Sequence, residues 1–256
     1  MPLPDIACRE GCVIIKGMRK EKFVTEEYYH IYNRTIANYS VFNNEGNAKR
    51  LLQAFLFANS TKSSEAFQVL RNNKESSVKE SLEIIKRGEK LVDLLCYAIM
   101  PDHYHLLIKE RKENGIINFV HKCDISISKY INIKNDRKGP LFESRFKSKH
   151  VDINDYLVHL SAYIHLNPLD IITGKEWREH KLDNWSKIRK PLLNFPWSSL
   201  KLFFGEKAGN HLDSILSGCE IITNQFKSSH EYELRLKRWA TNSNTELNNL
   251  SEDNFD

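Results

Sequence analysis

The sequence predicts an α+β fold: a four-stranded antiparallel sheet in the order βαββαβ, followed by a further helix. Three observations predict it. Two apolar, β-prone runs, LVDLLCYAIM and HYHLLIKE, are separated only by the turn-favouring pair Pro101-Asp102, which makes a hairpin. Helical periodicity lies on both sides of that hairpin, and a strand-like run opens and closes the whole set.

The first element is EEYYHIYNRT, Glu26 to Thr35, an aromatic, β-prone run that ends in the turn-friendly IANYSVFNNEGN. From Ala48, AKRLLQAFLFAN sets Leu51, Leu52, Phe55 and Leu56 at helical spacing, and the pattern then dissolves into polar NSTKSSE. Residues 66–90 mix Lys, Glu, Asn and Ser with sparse aliphatics, so they read as an amphipathic, partly helical insertion. The hairpin follows. A second helical pattern runs from Ile116 through Val120 and Ile127 to about Ile133, where NDRKGP breaks it. LFESRFKSKHVD reads as the fourth strand. Asp152 to Asp155 supplies a cap for the helix YLVHLSAYIHLN, which Pro168 stops.

That order is the ferredoxin-like split βαβ, with helices on one face of the antiparallel sheet and the other face free, plus a C-terminal helix. The organisation expected is an N-terminal extension over residues 1–25 and a main unit over 26–169, with its insertion at about 60–90. A mainly helical appended region spans 170–240, and a polar tail without fixed structure spans 241–256.

Composition bounds the function. With 256 residues and 41% hydrophobic content the chain can bury a real core, and 38 Lys+Arg against 33 Asp+Glu give a formal charge of +5. So mild an excess permits a nucleic-acid partner without demanding one. The five cysteines, Cys8, Cys12, Cys96, Cys123 and Cys219, are odd in number and include no CxxC pair, which points to reduced thiols rather than a disulfide framework. No export signal and no run of ~18 apolar residues is present, so a cytoplasmic protein without a membrane partner is expected.

His103 and His105 carry the chemistry. At i and i+2 on a strand both imidazoles point to one face, which is how a strand offers two nitrogens to one metal ion. Tyr163 and Asn167, four apart on a helix, share a face at about 5–6 Å between Cβ atoms, although Pro168 loosens that spacing. Tyr156 and His159 lie on roughly the same stripe, as an alternative nucleophile and an alternative ligand. Each residue also has a structural reading, the histidines as hydrogen-bonded strand residues and Tyr163 as core.

A divalent ion held by few protein ligands keeps open positions and can polarise a phosphate oxygen, so that a tyrosine hydroxyl attacks phosphorus. The resulting phosphotyrosine retains the energy of the phosphodiester, which suits cutting and rejoining. Between Lys129 and Lys149 stand seven cations, Lys129, Lys134, Arg137, Lys138, Arg145, Lys147 and Lys149, against Asp136 and Glu143. Arg145, Lys147 and Lys149 alternate on one strand face, ready to grip a phosphate backbone. Tyr130, Phe142 and Phe146 are interleaved as candidate base-stacking residues or as core.

MPDHYHLLI, GPLFESRFK, YIHLNP and FPWSS, in this order and with YHIYNR ahead of them, resemble the IS200-like single-tyrosine transposases, especially the REP-associated tyrosine transposases. The resemblance spans roughly residues 26–200. It implies an HUH-type, site-specific endonuclease and strand transferase acting on single-stranded DNA that bears hairpins. It further implies a divalent metal, Mg or Mn, held by His103 and His105 with Asn167 as third ligand. Tyr163 is then the nucleophile, linked to a 5′ phosphate. Arg145 and Lys147 fall in the family's basic stretch; Arg34, Lys129, Arg137, Lys138 and Lys149 complete the expected DNA contacts. Relatives include monomers and homodimers, and a cytoplasmic, nucleoid-associated bacterial enzyme is implied. Three departures stand out: Asp102 after Met-Pro, LDII after LNP, and the long insertion. The alternative is a catalytically inactive or domesticated DNA-binding protein of the same fold.

Overall fold

A computed structural model describes residues 22–71, 75–151, 154–178, 182, 184–206 and 214–241. Most of the N-terminal extension with Cys8 and Cys12, the cap residue Asp152, and the tail after Thr241 lie outside the described residues.

The elements run β1 (Tyr28–Arg34), α1 (Glu45–Ala58), α2 (Ser63–Leu70), α3 (Glu75–Lys86), β2 (Val92–Ile99), β3 (His103–Glu110), α4 (Gly115–Lys134), β4 (Lys147–Val151) and α5 (Asn154–Leu166). The appended region adds α6 (Leu169–Ile172), α7 (Trp185–Leu193), α8 (Leu200–Phe203), α9 (Glu220–Thr223) and α10 (Ser229–Thr241). The strands lie in the order β2-β3-β1-β4 with every adjacent pair antiparallel, which is the split βαβ topology expected.

Local chemistry sets the boundaries. α1 begins three residues before the expected Ala48 because the Asn44 side chain accepts from the Asn47 backbone N–H at 3.2 Å. The insertion is two packed helices, α2 and α3, and Ser81 Oγ on the second donates to the Ala66 carbonyl on the first at 3.0 Å. The fourth strand is shorter than expected. Its first half instead turns Leu141, Phe142 and Phe146 into the core, leaving only the isolated bridge Thr35↔Phe142 and pairing from Lys147 onward. Burial of three large apolar groups outweighs continued ladder pairing there. Phe142 and Phe146 are therefore core residues and not base-stacking ones, and Arg145 does not alternate with Lys147 on a strand.

Two cores sandwich the sheet. On one face Ile31, Leu94, Ile99, Tyr104, Leu106 and Ile108 pack against Phe55 of α1 and Phe119 of α4. The other face, free in the ferredoxin-like layout alone, is covered here: Cys96, Ala98, Leu107 and Val151 pack with Leu160 and Ile164 of α5, and with Tyr232 and Trp239 of α10. Pro168 does not loosen the end of α5. The Asn167 backbone N–H still donates to the Tyr163 carbonyl at 3.1 Å, because the missing N–H belongs to the following residue.

Candidate active site

Alternation along β1 and β3 builds the site. Arg34 pairs in register with His103, and Tyr32 with His105, so His30, Tyr32, Arg34, His103 and His105 all lie on the sheet face that α5 covers. The His103 and His105 rings stand edge to face, with centroids 4.9 Å apart. Each is held through Nδ1: His103 by the Asp102 carboxylate at 2.7 Å, His105 by His30 Nε2 at 3.0 Å. Both Nε2 atoms are buried. Holding one ring nitrogen fixes the ring's orientation and directs the other nitrogen to the shared space. Asp102, noted as a departure in the sequence, is thus the residue that orients His103.

Tyr163 comes from α5 and is fully buried; its ring lies 5.7 Å from that of His105 and 6.2 Å from that of His30, nearly perpendicular to both. Asn167, one turn on, donates through Nδ2 to the Tyr163 carbonyl at 3.0 Å and accepts at Oδ1 from Arg178 at 2.8 Å. Arg178 is anchored by Asp170 at 3.0 and 3.1 Å, and its guanidinium carbon lies 5.5 Å from the Tyr163 ring centroid.

Burial keeps the His105 and His30 imidazoles neutral. His105 is pushed well below its ordinary value by desolvation, with the charges of His103, His30, Arg178 and Arg34 adding to the effect. His30 falls to about 3 by burial and by the nearby Lys149 charge. For Asp102 burial acts upward, but the His103 hydrogen bond and the charges of His103 and Arg34 win, so its carboxyl lies below the ordinary value. Neutral imidazoles are the form that binds metal. Among the described residues no group of three or more His, Cys, Asp or Glu is arranged to hold an ion. The two imidazoles lie on the face that α5 covers, and the Asn167 carboxamide oxygen, on α5, is engaged by Arg178.

The structure sets His103, His105 and Arg34 on one face of the sheet with the Tyr163 ring against His105, places Asn167 one turn on from Tyr163 along α5, and brings Lys147 and Lys149 to 5.9 Å from the rings of Tyr32 and Tyr156 respectively. The two rivals on α5 part ways. His159 bonds Arg235 and meets the Trp239 ring at 4.7 Å, while Tyr156 lies by Lys149. Of the other expected DNA contacts, Arg145 and Lys138 are exposed on the connection to β4, and Arg137 is tied to Asn132 and the Pro140 carbonyl at 2.9 Å each. Lys129 lies on α4, across the sheet from the histidines.

Two site residues escaped the sequence reading. His30 had a visible signal, since it stands two residues from Tyr32 and four from Arg34 on one strand face, but only the register with β3 ties it to His105. Arg178 had none, because it reaches the site from the appended region.

Strand-paired histidines facing a helix-borne tyrosine on an antiparallel sheet are the arrangement the motifs implied. Residues 61–167 match the family model described as IS200-like transposase. The resemblance to that family is thereby shown over a range that takes in the insertion, both histidines and Tyr163, and that ends at Asn167. A solved structure of a REP-associated tyrosine transposase bound to a REP hairpin aligns with a TM-score of 0.44 and 11% identity, covering 77% of this chain and 90% of that one. No curated protein matches the chain. Among the described residues no helix is long and apolar enough to cross a membrane.

Proposed function

We propose that the protein is a metal-dependent single-stranded DNA endonuclease and strand transferase that cuts beside DNA hairpins by transesterification. The observation that carries the reading is the approach of Tyr163 on α5 to His105 on β3, at 5.7 Å between rings. The IS200-like match over residues 61–167 supports the reaction class, and the family motifs support hairpin-bearing single strands as substrate.

His103, His105 and Asn167 are the residues that would hold a divalent ion, Mg or Mn, which when bound supplies Lewis-acid polarisation of a phosphate oxygen. Two imidazole nitrogens and one amide oxygen suit Mn better than Mg, which prefers all-oxygen shells. Asp102 and His30 keep the two rings in their binding orientation. Tyr163 Oη gives up its proton and attacks phosphorus, the new O–P bond forms as the P–O3′ bond breaks, and the departing 3′ oxygen takes up a proton, so that no net proton is consumed. The DNA is left with a 5′ end on Tyr163 and a free 3′ hydroxyl, and the reverse attack reseals it. Arg178, held by Asp170 over the face of the Tyr163 ring, adds a positive charge beside the attacking phenol. Arg34, Lys147 and Lys149 line the approach as phosphate contacts.

Incubation with Mn or Mg and a hairpin-bearing single strand from the flanking genomic sequence should give a denaturation-resistant protein–DNA adduct. Loss of that adduct in Tyr163→Phe is expected; its persistence would move the nucleophile to Tyr156. The burial of Tyr163 and the Arg178–Asn167 hydrogen bond favour a second reading, a DNA-binding protein of this fold that no longer cleaves. Tight binding of the same strand without adduct in any metal would select it.

A further inference from the structure

On the far side of the sheet from Tyr163, α1, α2 and α4 enclose a groove of about 820 Å³, within the ~300–1,000 Å³ typical of ligand pockets. Cations line it: Lys49 and Arg50 from α1, Arg71 at the end of α2, and Lys122 and Lys129 from α4. Among the described residues no Asp or Glu lines it, and none of these five cations forms an ion pair. Two of them are partly withdrawn from water. Arg50 has its guanidinium 5.8 Å from the Tyr130 ring and a 3.3 Å bond to Ser126 Oγ, while its buried Nε has no acceptor among the described residues. Lys122 donates to Ser63 Oγ at 2.5 Å. Burial lowers the pKa of both, with no carboxylate acting against it. Partly desolvated, uncompensated cations cost stability, so their concentration in one concavity needs an anionic occupant.

We infer that this groove is a second nucleic-acid site, which grips the phosphates of a single DNA strand outside the segment being cut. Half-buried Phe67 and Tyr130 lie among the cations, the mixture by which grooves hold unpaired strands through stacking plus charge. Exposed Lys138 and Arg145 lie on the connection between α4 and β4, so the chain itself carries positive charge from the groove toward the Lys147–Lys149 edge of the active-site face. The insertion thereby gains a role, since α2 forms one wall. The identity of the polyanion rests on the proposed function; the existence of an anion site does not.

The test is fluorescence anisotropy of the full-length protein with an unstructured oligothymidylate of about 40 nucleotides, several times the ~4–16 nucleotide footprint of such grooves, across a salt series. Lys49→Glu, Arg71→Glu and Lys129→Glu change exposed side chains, so the fold should survive, and thermal melting checks that it does. Each should weaken binding about tenfold and flatten the salt dependence by about 0.7 for every phosphate that is no longer neutralised. Wild-type affinity and slope in all three, with Lys147→Glu impaired, would overturn the inference while leaving the active-site reading intact. Reduced binding in the three variants with no adduct from the wild-type protein would uphold the groove and remove the catalytic reading. Full adduct formation by the groove variants on a short substrate would place their defect in strand retention rather than chemistry.

Discussion

The two faces of one sheet divide the work of this protein between them. Alternate residues of β1 and β3 point to opposite sides: Ile31, Tyr104, Leu106 and Ile108 enter a hydrocarbon core under α1 and α4, whereas His30, Arg34, His103 and His105 lie on the face that α5 covers. The first face carries a polar contact directly behind the histidines. Asp124 accepts from the Tyr104 hydroxyl at 2.8 Å and from Asn33 Nδ2 at 2.9 Å, directly across the sheet from the histidines. Tyr104, between the two histidines in sequence, thus pins β3 from behind while His103 and His105 serve the front. Reactive side chains can be held rigidly on one face because the opposite face supplies packing.

The largest expected effect breaks the functional face alone. Tyr163→Phe should abolish the covalent adduct, and His103→Ala metal-dependent cleavage, with melting temperatures close to wild type; a large fall in melting temperature for Tyr163→Phe would mean that the hydroxyl is structural. Phe119→Ala is the converse, since it removes a fully buried ring from the opposite core. Chemical denaturation should record a loss of about 3–5 kcal/mol. His30→Ala should cost about 10–100-fold in metal affinity with little change in DNA binding, as expected for a residue that orients a ligand; isothermal titration with Mn separates the two.

The smallest effect is a pair of opposite pH slopes, one from each side of the sheet. On the α5 side His165, bonded to Tyr232 and Ser199 at 2.8 Å each, is held by burial at about 3 against its ordinary 6.5. The unfolded chain takes the proton first, so stability is lost as pH falls below 6.5, by up to ~1.4 kcal/mol per pH unit. Asp124, on the α4 side, is raised by burial to about 7 from 3.8; the folded chain keeps its proton longer, so stability is lost as pH rises through that interval. Denaturation at a series of pH values should show His165→Gln flattening the acid limb and Asp124→Asn the limb toward neutrality. A wild-type slope in either variant would sink that assignment.

Much of this was legible in the chain because it is local. The hairpin turn at Pro101-Asp102, the helical spacing around Phe55 and Ile127, and the i, i+2 histidines follow from periodicities that act over a few residues. So does the i, i+4 placement of Tyr163 and Asn167, which the helix preserves up to Pro168. The fourth strand was misjudged where LFESRF satisfies a strand pattern and a core equally well; only packing across the fold, Phe142 against Tyr104 and Phe146 against Phe23, decided that both rings should turn inward.

The sequence by itself determined the succession of strands and helices along the chain, the shared facing of both histidines on their strand and the helix that carries the tyrosine, since backbone alternation and helical pitch dictate them without reference to distant residues. Tertiary structure alone decided that α5 would close over the histidine face, that His30 would hold His105, that Arg178 would reach Tyr163 from the appended region, and that cations from α1, α2 and α4 would share one groove. Those outcomes depend on register and on packing between segments far apart in the chain. No local pattern encodes which buried surfaces will meet.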